Sequence, residues 1–161
     1  MLSPKSGMKT ASRQLGQISL KGRALRLLSA REHSRAELER RLQQYEEAPG
    51  DLAHALDELQ AKGFISEQRV IESVINRRAA KLGSARIRQE LQSKGLDKEA
   101  VIDAVASLQA TELDRARDIW NRKFGEVALD TKARGQQMRF FASRGFSGDV
   151  IRKVMAGEDV D

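Results

Sequence analysis

The amino-acid sequence predicts an all-α protein made of three tandem three-helix repeats. Apolar residues recur at spacings of three, four or seven, as on the buried face of a helix, and the alternation typical of strands is absent. Only two prolines and 4% aromatic residues occur in the 161-residue chain, which leaves little material for strands or turn-rich loops. Related residues also recur after 49 and then 50 residues: Leu38 and Leu42 align with Ile87 and Leu91, and QSKGL at 92–96 aligns with ASRGF at 142–146. We therefore expect related modules that stack into an elongated, curved body.

The first repeat is assigned to residues 18–64. Three apolar stripes predict its helices, namely Leu20, Ala24, Leu27 and Leu28, then Leu38 and Leu42, then Leu52, Leu56 and Leu59. Ser34 and Glu37 have the spacing of a capping box, so a helix should begin there. We expect His33 to make a local hydrogen bond beside this cap, and His54 to lie exposed on a helix.

The second repeat, residues 65–110, and the third, residues 111–157, follow the same plan. The second has the stripes Val70, Ile71, Val74 and Ile75, then Ile87 and Leu91, then Val101, Ile102, Val105 and Leu108, with Ser66, Ser84 and Asp97 as expected caps. The third has Leu113, Ala116, Ile119 and Trp120, then Met138 and Phe141, then Val150, Ile151, Val154 and Met155. We expect Trp120 and Tyr45 to pack in the core or at its rim.

Three phrases end a predicted helix with a cation, a glycine and a large apolar residue: QAKGF at 60–64, QSKGL at 92–96 and ASRGF at 142–146. Glycine after a helix adopts the left-handed conformation without a Cβ clash, and the next apolar residue packs back on the helix just ended. Gly95 and Gly145 end the middle helices of their repeats, whereas Gly63 ends a third helix.

The two ends of the chain differ in composition from the repeats. Residues 1–17 carry Lys5, Lys9 and Arg13 and no acid, which predicts a mobile basic arm, and residues 158–161 form a short acidic tail. No apolar run approaches the roughly 20 residues needed to span a bilayer, and the N-terminus lacks the apolar segment of a secretion signal. We therefore expect a cytoplasmic protein with no membrane partner.

The composition gives little support for catalysis. The chain has no cysteine and two histidines, so a thiol nucleophile, a Cys/His zinc cluster or a Ser/His/Asp triad is not easily assembled. No Gly-rich phosphate loop or dinucleotide fingerprint is present. We expect a protein that is not an enzyme, with no catalytic, cofactor-binding or metal-binding residues.

The charge instead favours phosphate backbones or acidic protein surfaces as partners, because the formal net charge is +6 and the pI is about 9.9. The net charge rises from zero in the first repeat to +2 and +4 in the next two, and the excess lies around their middle helices. Arginine suits bidentate pairing with carboxylate or phosphate. The predicted partner-binding residues are Arg31, Arg35, Arg86, Arg88, Lys94, Lys132, Arg134, Arg139 and Arg144.

Three longer phrases resemble the RecX family of regulators of the recombinase RecA: ALRLLSAREHSRAELERRL at 24–42, GSARIRQELQSKGLD at 83–97 and RFFASRGFS at 139–147. The resemblance covers about residues 20–156 and implies three tandem three-helix repeats, similar in outline to helix-turn-helix units. One departure is Gly83-Ser84 where many members have Gly-Pro, and we expect Ser84 to start the helix there as its cap.

The resemblance implies a regulatory protein that lodges in the groove of the RecA filament on DNA and limits filament extension or promotes filament loss. Strand exchange, ATP hydrolysis and coprotease activity in DNA repair and the SOS response would be restrained. It implies contact with single- or double-stranded DNA that is weak and not sequence-specific, and we expect a monomer. An alternative is an autonomous helix-turn-helix DNA-binding protein, because ARIRQELQ at 85–92 could form a recognition helix.

Overall fold

Residues 17–157, which the computed structural model describes, form eight α-helices and no strand. The helices are α1 (Leu20–Ala30), α2 (Arg35–Leu42), α3 (Asp51–Ala61), α4 (Glu67–Arg78), α5 (Ser84–Ser93), α6 (Lys98–Lys123), α7 (Thr131–Ser143) and α8 (Gly148–Ala156), with a 3₁₀ turn at Gln43–Tyr45. The all-α prediction is confirmed. The predicted basic arm, apart from Gln17, and the predicted acidic tail lie outside the described residues.

The chain divides into two units between Ser66 and Glu67, so that α1–α3 form the first unit and α4–α8 the second. In the first unit the capping box predicted at Ser34 is present, with the Ser34 side chain accepting from the Glu37 N–H and the Glu37 side chain accepting in return. Its core centres on Ala24, Leu38, Leu56 and Leu59, each of them fully buried. The apolar stripes of the first repeat therefore converge as the sequence predicted.

His33 is buried next to this capping box, with 1% of its surface exposed. Its Nδ1 lies 3.0 Å from the Arg31 carbonyl oxygen, which confirms the expected local hydrogen bond. Burial lowers the pKa of His33, so the neutral imidazole is the form that the fold favours. His54 is exposed, as predicted, and lies beside Glu58 one turn later on α3.

In the second unit a single helix, α6, belongs to both the second and the third repeat. Leu108 packs in the core of the second repeat and Ala116 in that of the third. The boundary that the sequence analysis placed at residue 110 falls inside this helix, and no glycine or proline interrupts residues 98–123. The two repeats are therefore joined by a rigid element instead of a loop.

The predicted glycine helix ends are confirmed, since φ is +82° at Gly63, +66° at Gly95 and +88° at Gly145. The apolar residues that follow the last two, Leu96 and Phe146, are buried. The prediction is wrong after Gly63, because Phe64 is 47% exposed and the next residue enters the core in its place.

The second and third repeats also meet through backbone alone, where Gly83 approaches Gly145. The Gly83 N–H donates to the Arg144 carbonyl at 2.8 Å, and the Ala85 N–H donates to the Gly145 carbonyl at 3.3 Å. A Cβ on Gly83 would lie 2.3 Å from the Gly145 oxygen, which is too close for any side chain. The junction therefore requires glycine on both sides.

The close approach of Gly83 to Gly145 moves the N-cap of α5 from Ser84, where the sequence analysis expected it, to the residue before. Gly83 is the N-cap of α5, and the Ser84 N–H donates to the Glu112 carboxylate at 3.0 Å, so the prediction that Ser84 caps the helix is wrong. The Ser84 hydroxyl is the one buried side-chain polar atom without a hydrogen-bond partner among the described residues. A carboxylate from α6 thus satisfies the helix N-terminus, as the helix dipole favours.

A second α6 side chain, Arg115, binds the segment between α4 and α5. Its Nη1 donates to the carbonyls of Ala79, at 2.8 Å, and Leu82, at 2.7 Å, and its Nη2 donates to the Leu108 carbonyl at 3.0 Å. Burial lowers the pKa of Arg115, although the nearby Glu112 charge opposes that shift. The segment after α4 is therefore fixed to α6 by a partly buried guanidinium.

Candidate partner-binding surfaces

The two cations predicted in the first repeat are engaged by acids of the same unit. Arg31 pairs with Glu37 at 3.4 Å. Arg35 pairs with Glu39 at 3.1 Å and Asp57 at 2.6 Å, and it also donates to a side chain and a carbonyl of α3. Asp57 raises the pKa of Arg35, so its charge is held by an internal pair. Arg35 therefore fastens α2 to α3.

Three of the predicted cations in the second unit have structural contacts. Arg86 donates to the Ser143 carbonyl at 2.7 Å and lies against Gly145, so it braces the repeat junction. Arg144 donates to the Phe140 carbonyl at 3.1 Å and its guanidinium lies 3.5 Å from the Phe140 ring centroid. Lys94 is only 8% exposed. Of these three, Lys94 and Arg144 are the less available to a partner, whereas Arg86 remains an exposed side chain.

The other predicted cations of the second unit, Arg88, Lys132, Arg134 and Arg139, are exposed. Arg134 donates to the Ala128 carbonyl at 3.2 Å, which helps to hold the connector between α6 and α7. Within residues 17–157, no acid pairs with Arg88, Lys132 or Arg139. Guanidinium groups without an internal partner are suited to bind a carboxylate or phosphate of another molecule.

The sequence analysis missed a group of three arginines in the first unit. Arg23 and Arg26 of α1 and Arg41 of α2 line a cavity of about 420 Å³ with Tyr45, which is 42% exposed. The Arg23 guanidinium lies 3.7 Å from the centre of the Tyr45 ring, a cation–π geometry. We call this group the arginine pocket.

The net charge of residues 18–64 did not reveal the arginine pocket, because the acids of the first repeat cancel the charge of its arginines. Among the described residues no acid lines the arginine pocket itself, but Asp51 and Glu58 of α3 line a neighbouring cavity of about 570 Å³ that shares Tyr45 with it. The spacing of Arg23 and Arg26, which places both on one helix face, was the available signal.

The second unit carries two related surface grooves, each between the middle and third helix of its repeat. The first groove, between α5 and α6, has a volume of about 700 Å³, and the second, between α7 and α8, about 540 Å³. Arg88, Gln92, Lys98, Val101, Ile102 and Val105 of the first groove are followed fifty residues later by Met138, Ala142, Gly148, Ile151, Arg152 and Met155 of the second. The grooves are therefore equivalent surfaces of two repeats.

These grooves explain the two predicted core residues that the structure leaves outside. Ile102 is 58% exposed and Met138 is 49% exposed, so the prediction that they pack in the core is wrong. Each lies on a groove rim, and the equivalent rim of the other groove carries an arginine, Arg152 or Arg88. At these two equivalent positions each groove thus presents one exposed apolar side chain and one arginine, on opposite sides in the two repeats.

A smaller cavity of about 200 Å³ shares lining residues with both grooves. Arg88, Val105 and Gln109 line both the cavity and the first groove, and Ala142 lines both the cavity and the second groove. Ser84, whose hydroxyl has no partner, lines the cavity as well. The two grooves and this cavity therefore adjoin one another across the repeat junction.

Residues 17–157 hold neither a metal-binding cluster nor a membrane-spanning helix. No three His, Asp or Glu side chains in this range are grouped to hold a metal ion. None of the described helices is long and apolar enough to cross a membrane. Trp120 is buried, as expected, and packs against phenylalanines in the core of the third repeat.

Fold and surface together define an all-helical protein of three tandem three-helix repeats, with arginine-bearing and apolar concave surfaces. Comparison with protein-family models matches residues 21–59 to the first three-helix domain of RecX, residues 66–105 to the second and residues 110–155 to the third. The chain belongs to the RecX family.

Relatives that match over most of the chain agree with this assignment. The chain is 52% identical over 139 residues to the regulatory protein RecX of Leptothrix cholodnii, covering 86% of this chain and 88% of the relative. It is 48% identical over 143 residues to that of Herminiimonas arsenicoxydans, covering 89% and 95%. The crystal structure of RecX from Lactobacillus salivarius, 19% identical, has the same fold with a TM-score of 0.67, covering 86% of this chain and 93% of that structure.

Proposed function

We propose that this chain is a non-enzymatic regulator that binds RecA filaments on DNA in the cytoplasm and restrains their ATP hydrolysis, strand exchange and coprotease activity. Membership of the RecX family is the observation that carries the proposal. Exposed arginines without internal acid partners, such as Arg88 and Arg139, supply the means of binding.

The arginine pocket is the proposed contact with the DNA backbone. Its three guanidinium groups lie around one cavity with Tyr45, and guanidinium pairs bidentately with phosphate oxygens. Phosphate contacts carry no sequence information and weaken as salt rises, because binding releases counterions. The DNA contact should therefore be weak, salt-sensitive and indifferent to sequence.

The test is to add the purified protein to preformed RecA filaments on single-stranded DNA and to follow ATP hydrolysis. The wild-type chain should lower the rate in proportion to its concentration, whereas Arg23→Gln/Arg26→Gln/Arg41→Gln should inhibit several-fold more weakly at equal concentration. Circular dichroism must show that this variant keeps its helical content.

A matched control removes three exposed cations from the other unit by Arg77→Gln/Lys81→Gln/Arg122→Gln, which changes the net charge equally. This control should inhibit much as the wild type does. Equal loss of inhibition in both variants would show that the effect comes from net charge and would count against the arginine pocket. Full inhibition by the arginine-pocket variant would exclude that surface.

The autonomous DNA-binding alternative makes a different prediction on naked DNA. A recognition helix that reads bases would give strong preference for one duplex sequence, with the exposed Arg88 and Gln92 of α5 as the readers. Binding to unrelated duplexes within a few-fold of one another, lost as salt rises, supports the filament regulator instead.

A further inference from the structure

We propose that the two grooves of the second unit and the cavity between them form one binding site for an acidic, amphipathic segment of a partner protein. The inference concerns this surface alone and does not depend on the recombinase being the partner. It rests on the position, the chemistry and the incomplete polar pairing of the surface.

The second unit has these grooves because it lacks the side-chain bridge that fills the equivalent gap in the first unit. Aligning the buried Leu52 and Leu56 with Val101 and Val105 places Ala53 where the second repeat has the exposed Ile102. At the same place Arg35 crosses from α2 to α3 and donates to the Ala53 carbonyl, so an internal side chain occupies the helix–helix gap. The second and third repeats carry no such bridge there among the described residues, and instead expose Ile102 and Met138.

The floors of the grooves suit aliphatic side chains better than nucleic-acid bases. They are lined by Val, Ile, Leu, Met and Ala, and no aromatic residue lines either groove. The one aromatic residue of the connecting cavity, Phe146, is only 4% exposed. Sequence-independent binding of single strands relies on exposed aromatic faces for base stacking, so the surface favours a protein occupant over a nucleic acid.

The rims suit acidic groups. Five cations line the grooves, and no Asp or Glu does: Arg88, Lys98, Arg134, Arg139 and Arg152. Arg152 pairs with Asp149 on the same helix. The acid of the connecting cavity, Glu112, is only 5% exposed and accepts from the Ser84 N–H, so it presents little surface to an occupant. Carboxylates of a bound segment would complement this charge.

The Ser84 hydroxyl supplies a polar point at the centre of the site. The residue is 3% exposed, its Oγ has no hydrogen-bond partner among the described residues, and it lines the connecting cavity. A segment that crosses from one groove to the other would pass this hydroxyl and could hydrogen-bond to it. Buried polar groups are normally paired, so an orphan at this position marks where an occupant completes the structure.

The experiment selects partners without prior choice of sequence. The full chain is panned against a displayed library of random peptides about 16 residues long, and peptides that also bind the Ile102→Gln/Met138→Gln variant are removed. Enriched peptides should combine Asp and Glu with large aliphatic residues at helical spacing. By fluorescence anisotropy, that double variant should bind them about tenfold or more weakly.

Controls on the same chain separate the groove from general effects. Leu129→Gln removes an apolar side chain that is 96% exposed and outside the grooves, and should leave peptide binding unchanged. Arg139→Glu should weaken binding several-fold more than Lys132→Glu, because both lie on α7 but only Arg139 lines a groove. Unchanged circular dichroism and Trp120 fluorescence show that the variants fold.

A labelled oligothymidine of about 20 nucleotides tests the nucleic-acid alternative. Its affinity should stay within about twofold in Ile102→Gln/Met138→Gln. The proposal is overturned if no enriched peptide depends on Ile102 and Met138, if Leu129→Gln has the same effect, or if the double variant loses the oligonucleotide while keeping the peptides.

Discussion

Replacing Gly83 with alanine should loosen the junction between the second and third repeats. The backbone of Gly83 has φ of −79°, so alanine meets no conformational penalty there, and any cost comes from contacts. The added Cβ would lie 2.3 Å from the Gly145 oxygen and 2.4 Å from the Phe146 nitrogen. Ordinary contacts begin at 3.4 Å, so the backbones must separate by roughly 1 Å.

That separation stretches two backbone hydrogen bonds, from Gly83 to Arg144 and from Ala85 to Gly145. Each contributes about 1 kcal/mol, and the overpacking itself costs about 1–3 kcal/mol. The second unit should therefore lose about 3–5 kcal/mol of its free energy of unfolding.

Guanidinium denaturation followed by tryptophan fluorescence measures this directly, because Trp120 is the single tryptophan of the chain and lies in the second unit. Gly148→Ala is the matched control, since no atom lies within 4 Å of its added Cβ at the start of α8, and its stability should change by about 0.5 kcal/mol or less. If Gly83→Ala unfolds within about 1 kcal/mol of this control, the backbone junction does not hold the repeats together.

Three further predictions follow from the buried polar groups. Ser34→Ala should destabilise the first unit by about 1 kcal/mol, measured by circular dichroism during urea unfolding, because it removes a capping-box acceptor. Ser84→Ala should leave the second unit equally or slightly more stable by Trp120 fluorescence, because the hydroxyl has no partner; a loss above about 1 kcal/mol would show a hidden hydrogen bond. The lowered pKa of His33 means that the unfolded chain takes up a proton near pH 6.5 before the folded chain does. The His33 contribution to stability is therefore present above about pH 6.5 and is lost as the pH falls towards the folded pKa. His33→Asn keeps a donor near the Nδ1 position and should flatten the dependence of the free energy of unfolding on pH, measured by denaturation at several pH values. An unchanged dependence would show that another group causes it.

Apolar periodicity and glycine placement predicted the helical segments and most of the core, but not that the segments on either side of residue 110 form the single helix α6. Periodicity shows which face of a helix is apolar, but not how much of that face neighbouring helices cover. Val101 and Ile102 therefore looked equivalent in the sequence, although only Val101 is buried. The helix start at Ser84 followed a sound local rule, and the approach of Gly145 overrode it by making Gly83 the cap. Such tertiary contacts leave no local signal in the sequence.

The candidate surface was predicted less well than the fold because charge counting ignores pairing across helices. Arg35 looked like a partner-binding cation, but Asp57, 22 residues away in sequence, engages it. The first repeat, which holds the arginine pocket, has no net charge to reveal it. The grooves depend on the distance between two packed helices, which the sequence does not give. Only Arg88, Arg134 and Arg139 of the predicted set line a groove.

The most direct test of binding, rather than chemistry, as the mode of action is cosedimentation of the full chain with RecA filaments on single-stranded DNA, compared with the same DNA alone. The account predicts saturable cosedimentation with filaments that far exceeds retention by the DNA, and that falls as salt rises. Equal retention by naked DNA, or none by filaments that the chain nevertheless inhibits, would contradict it.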